Sequence, residues 1–523
     1  MDFYTNPMKY TYVTGITKVF LMPTDSGGIP AVAVSYRVAI YIYGAYTILM
    51  ILIFMIGWSL ILAVLMTFLS GSDTYSKTPL LALWGSGESM NAMMLLASYF
   101  KRVILLNKGG DMKWGGRKDL LWGLPFVFIA LVVVLGNAAA SVLVPAQLAM
   151  GNVAPVAKDV IFYPNFANNT QHNLTSSEIR RLDSLKVLPA LRALAAVEVA
   201  RGSARRRVYI DIDGEFSDSF HASYDYNVTG VDMGLQSDPK LRLRVKGSCH
   251  TDDTWLLNST DQGDTYRLFG GNDTFEVKYQ PGVGLPPMLN FRINTNTGGG
   301  SNVSYAMIPN TGGLYSHTPG HGAWYVTDKT GASVPAEYQV RRKRPVLSCW
   351  EAKTWHLNGR EVDGSKLDTL PGLKLHKLWV GTVFPSKFRD PRLVSLGKAA
   401  GLSALKSASY AEAPEFILDA GTSSTYDDLE RLVSASWVSS RNVLRDTTTY
   451  EGGIMSNAAI GPKGLVEDAS AKFVLPTWDV VTFSVRVLIS IPVILLFLSI
   501  ALLSLNWVSP SSKPGGRPSS AGE

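Results

Sequence analysis

The chain has 523 residues, 46% of them apolar and only 17% charged, with a net charge of +7 and two cysteines. Soluble globular chains carry about 25% charged residues, and the mean hydropathy here is +0.11. A fully soluble protein, a disordered chain and a disulfide-dense secreted scaffold are therefore excluded, which leaves a multi-pass membrane protein with one large polar domain.

Residues 1–37 show no basic region followed by a short apolar core and a small-residue cleavage site, so no cleavable signal peptide is expected. Residues 38–69 contain no charged residue. About 20 residues at 1.5 Å each cross the hydrocarbon, so this block spans with tilt and doubles as the targeting signal. Residues 70–119 form a basic loop, and residues 80–100 within it hold Glu88 among glycines and polar residues. A carboxylate near a helix centre costs about 2.5–3.5 kcal/mol to insert, so that stretch reads as an amphipathic helix rather than a fourth span. Residues 120–150 form a second uncharged block, and the third span, 481–508, holds an uncharged run from Val487 to Trp507 with Arg486 at its outer edge, where a long side chain snorkels to the headgroups. Tyr36, Tyr41, Tyr43, Trp114, Trp122, Trp478 and Trp507 collect at the block ends, where amphipathic rings favour the interface.

The 70–119 loop carries seven Lys and Arg residues against three in the N-terminal segment. The positive-inside rule places that loop in the cytoplasm. Parity puts the N-terminus and residues 151–480 outside, and the Ser/Pro/Gly-rich tail 509–523, expected to be disordered, inside. Asn-x-Ser/Thr sequons occur at Asn168, Asn173, Asn227, Asn258, Asn272 and Asn302, all within the stretch that charge counting exports. Cys249 and Cys349 lie there too, where an oxidising compartment favours one disulfide worth about 4–5 kcal/mol. Two buried free thiols are the alternative.

Within residues 151–480, Thr175 and Glu178 form a capping-box pattern ahead of a helical period, which Pro189 should kink or divide. From Val208 the period becomes two, with Asp213-Gly214 as a hairpin turn. Further strands are expected near residues 241–245, 274–279 and 289–293, and a hairpin at Asn358-Gly359. Helices return near 396–411 and 426–442, the latter opened by Thr425. The fold class is three transmembrane helices with an α+β ectodomain, mainly antiparallel sheet plus helices.

Two stretches, GVDMGLQ at 230–236 with VKGSC at 245–249 and LSCWE at 347–351 with Trp355, resemble segments of multi-pass membrane glycoproteins of filamentous fungi. The resemblance implies the same architecture and brings no activity. It also implies that Trp255, Trp350 and Trp355 pack over a bridge between the cysteines.

No GxSxG, GxxxxGK[ST], GxGxxG or HExxH motif occurs, so no catalytic, cofactor-binding or metal residue is assigned. Asp211, Asp213 and Glu215 lack the spacing of a calcium loop, and His317 and His321 sit among Pro and Gly that forbid a shared helical face. The basic runs 205–207 and 341–344 read as surface strands or turns, on the wrong side of the membrane for nucleic acid. The leading reading is a non-catalytic glycoprotein of the plasma membrane or secretory pathway whose ectodomain binds or organises an external partner. A membrane-anchored hydrolase of glycans or esters and an oligomeric channel or receptor subunit are the alternatives. The partners expected are the bilayer and an outside ligand, and a homo-oligomer is compatible with both.

Gly136 and Ala140 form a small-residue face in the second block, where another helix can approach closely. Gly136→Leu should loosen helix assembly, seen as reduced crosslinking between spans or protomers; unchanged crosslinking would count against this face.

Overall fold

The computed structural model describes residues 7–69, 114–165, 175–279, 285–295, 302–331, 336–412, 416–450 and 456–508, with isolated positions between 91 and 101. The expected amphipathic helix at 80–100, the tail, Asn168 and Asn173 fall wholly or mostly outside these residues. The main elements in chain order are β1 (Val19–Thr24), β2 (Gly27–Ser35), α1 (Tyr36–Leu69), α2 (Trp114–Leu148), β3 (Ala149–Gly151), α3 (Ser176–Val199), β4 (Val208–Asp213), β5 (His221–Thr229) and β6 (Arg242–Asp252). There follow β7 (Leu256–Ser259), β8 (Gly263–Arg267), β9 (Thr274–Lys278), β10 (Met288–Ile293), β11 (Asn302–Asn310), β12 (Val346–Leu357), β13 (Arg360–Asp363), α4 (Arg392–Ala400), α5 (Thr425–Arg441), β14 (Val480–Ser484) and α6 (Val485–Val508). The chain divides into two compact units. One comprises Met1–Val13, Phe20–Ile29 and Ala154–Thr477, and the other Thr14–Val19, Pro30–Val153 and Trp478–Glu523.

Among the described residues, the second unit holds three helices long and apolar enough to cross a membrane, Tyr36–Val64, Val127–Val144 and Val485–Leu505. Only 17%, 6% and 6% of their apolar windows are buried within the protein. Each helix is continuous with a strand. β2 runs into α1, α2 runs into β3, and β14 runs into α6. Residues 31–35 of β2 pair with 484–480 of β14, and β14 pairs on its other side with β3. The start of α1, the end of α2 and the start of α6 therefore lie together, with the helices alternating in direction. Tyr46 Oη donates to Leu488 O at 2.6 Å, and a Cβ on Gly136 would stand 3.6 Å from the Phe54 ring of α1. The small-residue face thus looks toward a neighbouring helix.

The first unit is built on a main sheet of order β10-β11-β12-β6-β5-β4, with β13 added to β12. All these pairings are antiparallel. One face packs against α3, α4 and α5, whose Ala190, Leu194, Val197, Leu393, Leu396, Leu429, Val433 and Trp437 join the sheet's inward residues in one core. A smaller sheet, β7-β8-β9, covers the opposite face around Ala306, Ile308 and Val346.

Several sequence expectations need correcting. Pro189 does not divide its helix, which continues as α3, because burial of Ala190, Ala193, Leu194 and Val197 on the core offsets the lost backbone bond. Asp213-Gly214 makes no two-residue turn. Asp213 pairs with His221 across a longer loop, and a Cβ at Gly214 (φ +80°) would sit 2.0 Å from Ser219 O. Ser424, not Thr425, caps α5, its Oγ accepting from Tyr426 N (3.1 Å) and Asp427 N (3.4 Å). The helix expected near 396–411 ends at Ala400. Within the N-terminal segment, Leu21 N donates to Gln236 Oε1 at 3.3 Å and Tyr12 bridges to Val156. The Asn358-Gly359 turn does form, both residues at positive φ (51° and 79°) between Leu357 and its partner Arg360.

Gly247 is required by its neighbour, since an added Cβ would lie 2.2 Å from the Tyr224 ring. Gly247→Ala should cost about 1–3 kcal/mol by overpacking, measured as a lower Tm of the purified full chain; an unchanged Tm would show that the ring moves freely.

Candidate functional site

Cys249 and Cys349 face each other directly in the β6–β12 pairing and form a disulfide at the middle of the main sheet. None of Trp255, Trp350 and Trp355 lies over it as the resemblance implies. Trp255 stacks on Phe269 beside the small sheet. Trp350 follows Cys349 in the strand and so points to the opposite face, where it is 38% exposed. Trp355 shares the inward face but lies six residues along, about 20 Å away. The neighbour of the bridge is Tyr305, whose hydroxyl is 3.8 Å from Cys249 Sγ.

Of the described sequons, Asn227, Asn258, Asn272 and Asn302 are all exposed. His317 and His321 are brought into no cluster with other ligating groups, and among the described residues no group of three or more His, Cys, Asp or Glu could hold a metal ion. The basic run 341–344 is engaged rather than free. Arg341 pairs with Asp328 at 2.7 Å, Arg342 with Asp261 at 2.5 Å, and buried Arg344 donates to Ala323 O at 3.2 Å. A protease would find Arg344 inaccessible.

Beneath the sheet the sequence hides a set of buried charges. Glu351 and Lys353 stand on adjacent inward positions of β12, their charged atoms 3.3 Å apart. Tyr305 and Tyr224 are joined at 3.0 Å, and the Tyr224 hydroxyl donates to Glu351 Oε2 at 3.0 Å. Lys353 Nζ donates to Phe388 O (2.8 Å) and Asp390 O (2.7 Å), and burial pulls its pKa below the ordinary lysine value. Arg392 N donates to Glu351 Oε1 at 3.3 Å, and its guanidinium reaches Ser439. Every member of this pair is enclosed, so the network holds α4 to the sheet and leaves no room for a substrate.

The accessible site lies at the edge of the sheet. An open depression of about 650 Å³ is lined by Arg205, Arg206, Arg207, Tyr209, Asp225, Asn227, Thr229, Asp232 and Arg242. The turn between the short helix Arg201–Arg205 and β4 supplies the first arginines, while alternation on β4 and β5 turns Tyr209, Asp225 and Asn227 outward. Thr229 pairs with Arg242 and Asn227 with Arg244 on β6. Both carboxylates here are already engaged. Asp225 takes Arg244 in a forked contact (2.6 and 3.2 Å), and Asp232 accepts from Thr229 N (3.0 Å) and Oγ1 (2.8 Å). Arg205 is held by Glu430 at 3.0 Å. Among the described residues, Arg206, Arg207 and Arg242 have no carboxylate partner. Three free guanidiniums, an exposed phenol ring (Tyr209, 65% exposed) and an amide thus share one concave surface. Chemically, that set of donors is suited to an anion. The sequence reading took 205–207 as bland surface and missed Arg242. The outward positions of Arg242, Arg244 and Lys246 in LRLRVK were the available signal, because period two puts all three cations on the solvent face.

Burial pushes the Asp428 and Asp446 carboxyls up to about 6. Asp428 accepts from Tyr325 Oη at 2.5 Å and Ser407 N at 2.9 Å, and Asp446 faces Lys387, Arg392, Arg192 and Arg445. An unfolded carboxyl titrates near 3.9. The folded chain therefore binds these protons first as pH falls, and stability should rise between pH 7 and about 4.5 by on the order of 2 kcal/mol for each group. Asp446→Asn should flatten that rise in a Tm-against-pH profile; a wild-type Tm that falls steadily from pH 7 to 5 would contradict it.

No curated protein and no solved structure matches the chain. Residues 188–475, from the middle of α3 to just before β14, match the family described as a domain of unknown function (DUF8406). The match covers more than half of the sequence and contains the disulfide, the buried charges and the arginine-lined depression, and the chain belongs to that family.

Proposed function

We propose that this chain is an integral membrane glycoprotein whose non-catalytic ectodomain binds an anionic partner outside the cytoplasm, in the plasma membrane or secretory pathway. The observation that carries the reading is the convergence of Arg206, Arg207 and Arg242, without carboxylate partners, on one open depression. Like charges held together without a counter-ion repel one another, and a bound anion relieves that cost.

The compartment rests on separate support. The sequons and both cysteines fall in residues 151–480, and the seven basic residues of the 70–119 loop favour the cytoplasm. The alternating helices put the start of α1, the end of α2 and the start of α6 at one end of the bundle, which agrees with an outside N-terminus and a cytoplasmic tail. No observation favours the hydrolase or channel readings.

The test uses the full chain purified in detergent and a carboxylated or sulfated polysaccharide as probe. Reversing the three free cations (Arg206→Glu, Arg207→Glu and Arg242→Glu) should weaken binding by about tenfold or more, given exposed pairs worth roughly 0.2–1 kcal/mol each. Asn227→Gln, which keeps any sugar off the floor of the depression, should hold or raise the affinity. Equal affinity of the charge-reversed and parent chains would reject the site, and hydrolytic turnover of the probe would reject the non-catalytic reading.

A further inference from the structure

The outward face of the main sheet carries one large apolar side chain in an unexpected setting. Trp350 is 38% exposed, and among the described residues its indole makes no ring, cation or hydrogen-bond contact. Its cross-strand partners are Ser304 on β11 and Ser248 on β6, and its same-face neighbours along β12 are Ser348 and Ala352. All four are small, so part of the ring stays open. Around it this face carries the polar Lys246 and His250 on β6 and Asn302 on β11, while the apolar Ala306, Ile308 and Val346 farther along the same face are covered by β7-β8-β9.

Asn302 is the acceptor of the sequon Asn302-Val303-Ser304, and its direct partner on β12 is Ala352. It is therefore diagonal to Trp350, with Cβ atoms about 7–8 Å apart on the same face. Ser304, which completes the sequon, sits opposite the tryptophan itself. The β10–β11 register ends at Ile293–Tyr305, Asn294 N donates to Ser304 O at 2.9 Å, and Asn302, two residues farther, is exposed. Oligosaccharide transfer precedes folding, so a position in a strand is no bar; what matters is that the attached sugar finds room on the finished surface.

We infer that Asn302 is N-glycosylated and that the first sugar of that glycan lies flat on the Trp350 indole, covering it. The axial C–H groups of a pyranose present an apolar face, and an electron-rich indole prefers such polarised hydrogens. Tethering one pyranose ring a diagonal away gives the contact a high effective concentration, an advantage that no free saccharide has. The small residues around the indole provide the clearance, and Ser248 and Ser304 can hydrogen-bond the sugar's rim. In this role the glycan supplies the cover that side chains on this part of the sheet leave out.

The inference rests on the exported placement of this domain, and its failure can be told apart from a failure of that placement. The full chain is produced in a glycosylating eukaryotic host and its glycopeptides are mapped by mass spectrometry. Occupancy at Asn302 is expected; modification at Asn258 and Asn272 with Asn302 bare would overturn the inference alone, whereas no sugar at any sequon would overturn the placement too. Asn302→Gln should lower the Tm by about 2–4 °C in the parent chain and by less than about 1 °C in a Trp350→Ala background. Equal shifts in the two backgrounds would refute the stacking. Trimming the glycan enzymatically to its first sugar should leave the Tm where it was, and a drop equal to that of Asn302→Gln would also refute it.

Discussion

The antiparallel pairing of β6 with β12 is the constraint on which the first unit depends. Residues 242–252 meet 356–346 in an unbroken register, and the disulfide joins Cys249 to Cys349 within it. A one-residue slip would turn every side chain to the other face. In the observed register Leu243, Val245 and Trp355 enter the core, while Arg242, Lys246 and Trp350 face outward. The depression, the outward tryptophan and the buried charges are all set by that one alignment. The cross-link fixes it covalently, where neighbouring strands of similar pattern could otherwise shift.

The buried pair Glu351 and Lys353 adds a second kind of specification. Two charges withdrawn from water gain little net stability, but they tolerate few alternatives. Lys353 needs the carbonyls of Phe388 and Asp390, so the segment leading into α4 has one acceptable position against β12. Apolar packing of Phe384 and Phe388 against Trp355 is less directional, and it accepts that position rather than selecting it.

In the second unit, with its three long apolar helices, the division of labour is different. The helices present apolar surface all round, and such surface carries little information about register. The strands continuous with α1, α2 and α6 provide it, through backbone pairing and through Thr482, whose hydroxyl donates to Val153 O at 2.5 Å and accepts from Val153 N at 3.1 Å. A hydrogen-bonded collar at one end of the bundle thus arranges helices that their own side chains would leave free to slide.

The sequence by itself determined the three apolar helices, the alternating strands and the Asn358-Gly359 turn. Each of these follows from a local quantity: length without charge, a period of two, or a residue pair suited to positive φ. Only the tertiary structure decided that Pro189 stays inside α3, that Ser424 rather than Thr425 caps α5, and that residues 19–35 form strands. It alone brought together Arg206, Arg207 and Arg242, and sent Trp350 to the face opposite the disulfide. Those outcomes depend on contacts between residues far apart in the chain, where burial and pairing override what a short window of sequence prefers.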